Sequence, residues 1–558
     1  KLPALTLENP QLWSCESPQL YNAEVVVTAD GMVVDSLTEQ FGIRSLEFSP
    51  EFGFKLNGKK IFLQGNANHH DLGALGATCY DKAIERMMLQ LKSFGYNCIR
   101  CSHNPYSDSF ARIADRVGIL VVDELTDKWS DNDYWGGRQP FTHIWHKLIT
   151  EWIKRDRNRP SIILWSLGNE LQIREGWAGF EGTNDWGITT YNIFNQLVKR
   201  WDHTRLTTVA MFPARAGAIT RHDKEFNDYL VPPELACATE VASFNYQSDK
   251  YDAYLKYRPD LILFQSEAET SNLLQPYYNM DKERMVGIAY WGSVEYWGES
   301  NKWPKKGWNY SFFEHTMRPY PQAYLIKTAF MPEIPEVHIG VVDAAGAESV
   351  SWNDVIVGRM ALNECWNHTP GSRRSLFTFT NAHSVELLVN GQSMGIQKND
   401  TTRANLRNMI YWKDVPYGNG GSVVAIARDK SGKEVARHRI ETAGKAVALR
   451  IEAETPTDWK ADGMDLQYIN VTVIDKKGRP VWDYNEPLTL QMEGAARLVA
   501  LDNGDHYTDE LFHGITSKRM YQGRMQIILR SDQEAGNVTV KISSAGLKGT
   551  LRLKTIKE

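Results

Sequence analysis

The segment Pro160-Ser161-Ile162-Ile163-Leu164-Trp165-Ser166-Leu167-Gly168-Asn169-Glu170 constrains this chain more than any other stretch. From Ile162 to Leu167 it is a near-continuous apolar run, the pattern of a strand buried on both faces, and it ends abruptly in small and polar residues. Strands of this kind belong to parallel sheets covered by helices, and in an α/β barrel the chemistry gathers at their C-terminal ends. Glu170, with Asn169 beside it, therefore stands where a barrel delivers a catalytic carboxylate. Just upstream, residues 155–159 close a helix, and Pro160 prevents that helix from continuing into the strand.

The surrounding pattern supports a barrel. Between about 49 and 331, eight strand-like segments alternate with helical stretches: Ile61–Gly65, Asn97–Cys101, Ile119–Glu124, Ile162–Leu167, Leu206–Met211, Val241–Tyr246, Leu261–Ser266 and Val286–Trp291. The first helix is explicit. Asp81 is its expected N-cap, Ile84, Met87, Met88 and Leu91 give one apolar face, and Gly95 ends it. An Asn57-Gly58 hairpin turn precedes the first strand.

A chain of 558 residues is too long for one core, and the flanking segments read as all-β. Residues 1–48 hold short strands at Tyr21–Thr28, Met32–Ser36 and Phe41–Arg44, too few to close a sandwich. Beyond Pro332 the helical signal stops, and strands alternate with turns such as Asn390-Gly391 and Asp475-Lys476-Lys477-Gly478. Two β-sandwiches are expected, over 332–446 and 447–558, divided at Ala443-Gly444-Lys445-Ala446. The expected architecture is a (β/α)8 barrel flanked by immunoglobulin-like β-sandwich domains.

A net charge of -5 gives no reason to expect nucleic acid as partner, and no apolar run reaches the length of a membrane span. Six scattered cysteines do not form a disulfide framework, and the Cys98/Cys101 pair sits on a strand, where positions three apart face opposite ways. Oligomeric state is left open, a homo-oligomer included.

Acid/base and nucleophilic work by carboxyl groups needs two of them at one rim of the barrel. Glu170 supplies one. The seventh apolar strand runs into Ser266-Glu267, but Glu269 lies two positions on, and strand periodicity alone leaves both open. The Arg155–Glu170 segment, the Asn97–Pro105 segment and the Phe264–Glu267 strand end together resemble glycoside hydrolase family 2. The resemblance implies Glu170 as acid/base and Glu267 as nucleophile. It also implies Arg100 beside the nucleophile, His103 and Asn104 at the sugar, and Asn169 on the hydroxyl next to the reacting carbon. Tyr246 is implied as a hydrogen-bond donor to the nucleophile, Trp291 as the floor of the sugar subsite, and His69 or His70 in its wall.

By the same resemblance the chain acts on a terminal β-linked sugar, with loops most similar to bacterial β-galactosidases. The alternatives are a relative acting on a β-glucuronide, β-mannoside or arabinopyranoside, and a non-catalytic carbohydrate-binding protein. The glucuronidase Asn-x-Lys element is not matched, since Asn301 and Lys302 are adjacent. The magnesium-binding Glu-x-His element after strand three is also unmatched by Asp123-Glu124-Leu125-Thr126-Asp127, so neither a metal nor another cofactor is expected. The resemblance further implies an N-terminal jelly-roll domain and half a sandwich ahead of the first residue, and an exported bacterial protein.

Overall fold

The computed structural model describes residues 6–129, 140–171, 187–212, 231–271, 274–300, 303–343, 348–352 and 355–557. Eight parallel strands close a barrel in chain order: β1 (Leu63–Asn68), β2 (Cys98–Cys101), β3 (Leu120–Glu124), β4 (Ile162–Asn169), β5 (Leu206–Met211), β6 (Val241–Asn245), β7 (Leu263–Ala268) and β8 (Gly287–Trp291). Pairing of β8 with β1, from Gly287 with Leu63 to Trp291 with Ala67, completes the ring. Around it lie α1 (Asp81–Ser93), α2 (Asp108–Val117), α3 (Phe141–Asp156), α4 (Ile188–Trp201), α5 (Glu234–Ala238), α6 (Tyr251–Tyr257), α7 (Gln275–Asn279) and α8 (Ala323–Phe330). All eight strands lie where the sequence places them, with no end shifted by more than three residues and Leu206–Met211 matching at both ends.

Two apolar layers hold the barrel. Leu63, Cys98, Val122, Leu164, Phe264 and Ala289 fill the interior, with Trp13 and Phe54 of the preceding segment in the same cluster. Cys101, Trp165, Leu167, Leu263 and the buried faces of the helices form the outer layer. Cys98 and Cys101 thus fall in different clusters, as alternation along a strand requires. On α1, Ile84, Met87, Met88 and Leu91 are buried as their spacing predicts; each such side chain contributes about 1.5–3 kcal/mol when removed from water. Gly95 follows the helix at φ 87°, and a Cβ there would stand 2.6 Å from Phe330 Cβ. Asp81 does not cap the helix. Tyr80 is the N-cap, without a side-chain bond, and Asp81 is the first helical residue, where its charge favours the helix dipole.

Before the barrel, Tyr21–Ala29 and Met32–Phe41 form a two-stranded hairpin turning at Asp30-Gly31. The strand expected at Phe41–Arg44 is not there; the second hairpin strand runs to Phe41, and the next strand is Leu46–Ser49, paired with Gly53–Leu56. Asn57 and Gly58, at φ 52° and 74°, make the turn to Lys59–Lys60. After the barrel come two pairs of four-stranded antiparallel sheets. One pair encloses Ile339, Trp366, Leu387 and Val423, and the other encloses Trp459, Ile469, Leu490 and Ile527. The last pair docks on the barrel through Tyr468, Ile528, Ala74 and Ala83, and through Arg86, whose guanidinium donates to both oxygens of Glu454 at 2.7 and 2.9 Å.

Candidate active site

Strict alternation would point the two key strand ends the wrong way. On β7, Phe264 faces the interior and Gln265 faces outward, where it accepts a hydrogen bond from Tyr251 Oη at 2.8 Å. Glu267, two residues on, would follow Gln265 outward. Instead the register against β6 shifts, so that Phe244 pairs with Gln265 and Asn245 with Glu267, leaving Ser266 as an extra residue. The bulge turns both Ser266 and Glu267 inward. A similar extra residue on β4, where Thr208 pairs with Ser166 but Ala210 with Asn169, turns Asn169 inward. Glu170 then leaves the strand at φ 48° and Tyr246 leaves β6 at φ 58°, left-handed conformations that non-glycine residues adopt rarely and that cluster where side chains are re-aimed.

Arg100 is the hub. It is fully buried and donates from Nη1 to Glu267 Oε1 at 2.7 Å, and from Nη2 to Glu124 Oε2 at 2.6 Å and Asn169 Oδ1 at 2.9 Å. Burial works against its charge, but the Glu124 and Glu267 carboxylates more than offset this and hold the guanidinium protonated. Tyr246 Oη donates to the second oxygen of Glu267 at 2.7 Å. Glu267 therefore accepts at both oxygens. Burial beside the Glu267 carboxylate in turn raises the Tyr246 phenol well above its ordinary value, so it stays a donor. Asn245 Nδ2 donates to Glu170 Oε1 at 3.1 Å and to Asn169 Oδ1 at 3.0 Å, which joins the two catalytic candidates through one network. Ser266 Oγ donates to Asn245 Oδ1 at 2.7 Å and fixes that amide.

Glu124 anchors the other side. It is fully buried, and it accepts from Arg100, from Ser166 Oγ at 2.6 Å and from His103 Nδ1 at 2.7 Å. Burial opposes its charge, yet Arg100 and His103 lower its pKa below the ordinary value. His103 is raised in turn: burial disfavours the imidazolium, but the bond to Glu124 and the charge of Asp127 outweigh burial. Asp127, bonded to Lys128 and to Asn169 Nδ2 at 3.0 Å, is pulled down to about 2 against the effect of burial, chiefly by His103.

An aromatic wall completes the site. The His103 ring stacks on Trp291 at 5.2 Å and 8°, and His69 stands edge-on to Trp291, His103 and Tyr296 at 5.1, 5.5 and 5.0 Å. Tyr296 donates to Glu299, which lies 3.8 Å from His69 Nε2. Burial opposes ionisation of Glu299, but His69 and Tyr296 lower its pKa. The structure thus brings together Glu170, Glu267, Asn169, Arg100, His103, His69, Tyr246 and Trp291.

It does not bring in His70 or Asn104. His70 turns outward against Tyr106 and Phe110, at ring distances of 4.7 and 6.2 Å, and burial lowers its pKa. Asn104 is exposed, with its amide bonded to the Pro105 carbonyl at 2.9 Å. Glu124, Asp127, Asn245, Ser166 and Glu299 join the site without having been singled out. The available signal for Glu124 was a charge ending the apolar third strand, the same signal that marked Glu170. Asn301 and Lys302 lie outside the described residues.

A closed parallel barrel with Glu170 and Glu267 in one hydrogen-bonded network at its C-terminal rim, and with antiparallel sandwiches appended, defines the class of multidomain barrel enzymes. The sequence model described as "Glycosyl hydrolases family 2, TIM barrel domain" matches residues 51–282. "Glycosyl hydrolases family 2" matches 2–44, and "Glycoside hydrolase family 2 C-terminal domain 5" matches 449–551. A domain of unknown function matches 371–436. The chain belongs to glycoside hydrolase family 2. It is similar to a β-galactosidase of Bacteroides ovatus, 27% identical over 98% of this chain and 67% of that protein. A Formosa agariphila protein named "Putative beta-glucuronidase" is 43% identical over 99% of this chain and 54% of its own length. The chain thus spans about half to two thirds of these relatives. A solved family 2 structure from Bacteroides cellulosilyticus, 28% identical, superposes with a TM-score of 0.86 over 98% of this chain and 69% of its own.

Proposed function

We propose that this protein is a retaining, exo-acting β-glycosidase that removes a terminal β-galactosyl unit. One observation carries the reading: Glu267 accepts hydrogen bonds at both oxygens, from a charged Arg100 and from Tyr246, while Glu170 ends a strand of the same rim within the same network. A carboxyl that accepts at both oxygens is in the form that attacks. In the first step Glu267 forms an ester bond to the anomeric carbon, while Glu170 delivers its proton to the departing glycosidic oxygen. In the second, Glu170 takes a proton from water as the water oxygen displaces Glu267, releasing the sugar with its configuration retained. Asn169, held by Arg100 and Asn245, would bond the neighbouring hydroxyl, and Trp291 would offer a flat apolar face to the ring.

The wall chemistry favours a neutral sugar. The Glu299 carboxylate, held by Tyr296 and 3.8 Å from His69 Nε2, would stand against a uronic carboxylate on that side of the wall. The second reading, a β-glucuronidase, is supported by the name of the 43% identical relative. Aryl β-galactoside and β-glucuronide compared under NMR distinguish the two. The expected result is galactoside cleavage releasing the β-anomer first, with loss of cleavage in Glu267→Gln. Release of the α-anomer overturns the retaining mechanism, and exclusive glucuronide cleavage overturns the sugar assignment.

A further inference from the structure

Behind the wall, where the loop after β8 meets the last sandwich, lies a cluster that the proposed reaction does not use. Glu295, His315 and His506 are all buried, and one ligand-type atom of each lies within 4.8 Å of the others. His315 Nδ1 is 3.1 Å and His506 Nδ1 3.3 Å from the same oxygen, Glu295 Oε2. Donors bound to one tetrahedral zinc ion at about 2.0–2.2 Å stand roughly 3.3–3.6 Å apart, so the two Glu295–imidazole spacings are already close to that geometry, and the donor atoms of the two imidazoles lie within 4.8 Å of each other.

The surroundings match those of a metal centre. The far nitrogen of His315 faces Asp502 Oδ1 at 2.9 Å, the carboxylate–histidine pairing that orients a ligating imidazole. The far oxygen of Glu295 accepts from Tyr320 Oη at 2.6 Å, and Oε2, which also accepts the His315 backbone N–H at 3.2 Å, keeps a lone pair for one ligand bond. Of the three candidate ligands His506 lines a neighbouring cavity of about 280 Å³, together with Tyr320 and Glu314, so solvent reaches that side of the cluster. A second such group, His338, Glu364 and His438, lacks this geometry. His338 is stacked between Tyr324 at 3.6 Å and His438 at 4.0 Å, so ring faces meet where lone pairs would have to converge, and His438 Nδ1 already accepts from the Ile339 amide.

We propose that Glu295, His315 and His506 bind a divalent transition-metal ion, zinc by the chemistry of the donor set, with Asp502 orienting His315. The sequence-based expectation of no metal rested on the loop after strand three, and this cluster lies elsewhere. The ion ties the loop after β8 to the last sandwich. Trp297, two residues from Glu295 and next to Tyr296 of the sugar wall, packs on both imidazoles at 4.6 and 5.1 Å.

The test uses the protein produced without a polyhistidine tag, loaded with zinc, passed into zinc-free buffer, and analysed for metal by plasma mass spectrometry. The expected result is one zinc per chain, loss of that zinc in His506→Ala, and a strong visible band on replacing zinc with cobalt(II), as a four-coordinate site gives. Asp502→Asn, which keeps all three ligands, should weaken zinc binding roughly 10–100-fold. Wild-type stoichiometry and the cobalt spectrum need no variant, so the test stands even if His506→Ala does not fold. Wild-type protein that leaves the loading step metal-free, or retention of the full zinc content by His506→Ala, overturns the proposal.

Discussion

Replacing Glu124 with Gln probes the hub of the site. The carboxylate is fully buried and takes Arg100 Nη2 at 2.6 Å, Arg100 Nε at 3.2 Å and Ser166 Oγ at 2.6 Å on one oxygen, with His103 Nδ1 at 2.7 Å on the other. Glutamine keeps the shape but removes the charge and sets an amide donor against a donor already in place. Removing one partner of a buried ion pair costs about 3–5 kcal/mol, and because Arg100 keeps Glu267 the lower end applies, about 3 kcal/mol. For a barrel of this size roughly 2 °C accompanies each kcal/mol, so the calorimetric transition of the barrel should fall by about 6 °C. The domains can melt separately, so the transition is assigned to the barrel by loss of activity on the same scan. A double-mutant cycle with Arg100→Met should return a coupling between about 1 and 3 kcal/mol. A loss below about 1 kcal/mol in Glu124→Gln, or additivity within about 0.5 kcal/mol in the cycle, would refute the view that these charges form one unit.

Tyr246→Phe deletes a hydrogen bond to a charged group, worth about 1.5–3 kcal/mol, and kcat/KM should fall roughly 10- to 100-fold; an unchanged value removes Tyr246 from the reaction. Glu170→Gln should slow alkyl glycosides by about 10²–10⁴ while largely sparing formation of the glycosyl-enzyme from a dinitrophenyl glycoside, whose leaving group needs no proton. Equal losses on both substrates would mean that Glu170 is not the acid. His103 has a folded pKa above its unfolded value, so the folded state holds the proton more tightly, and this contribution is complete below about pH 6.5 and lost as pH rises through the raised value. The stability gap between wild type and His103→Gln, read by thermal unfolding, should therefore be wider in acid than in alkali, and a gap independent of pH contradicts the assignment. Cys79 is the exposed cysteine, whereas Cys15, Cys98 and Cys101 are buried, so a thiol reagent should label Cys79 first in the native protein; rapid labelling at Cys98 or Cys101 would contradict the barrel packing.

The barrel was legible because its strands are apolar runs between helical patterns, and burial on both faces writes that signal directly into residues such as Ile162–Leu167. The two bulges were not. Periodicity places Glu267 on the outer face with Gln265, and the extra residue at Ser266 depends on how β6 and β7 fit, which no local pattern records. The adjacent His69 and His70 show the same limit: one turns to the wall and the other to Tyr106 because the loop after β1 bends there. Asp81 looked like a cap because its residue type suits one, yet Tyr80 occupies the position. Glu124 went unnoticed because a carboxylate at a strand end does not reveal its partners, and those come from β2 and β4.

Trapping of the covalent intermediate identifies the nucleophile itself. The protein is treated with a 2-deoxy-2-fluoro-β-galactosyl donor bearing a good leaving group, then digested and sequenced by mass spectrometry. A single fluorosugar ester is expected, on Glu267, and none after treatment of Glu267→Gln. An ester on Glu269 or Glu170, or rapid hydrolysis of the donor with inverted configuration and no trapped ester, would contradict it.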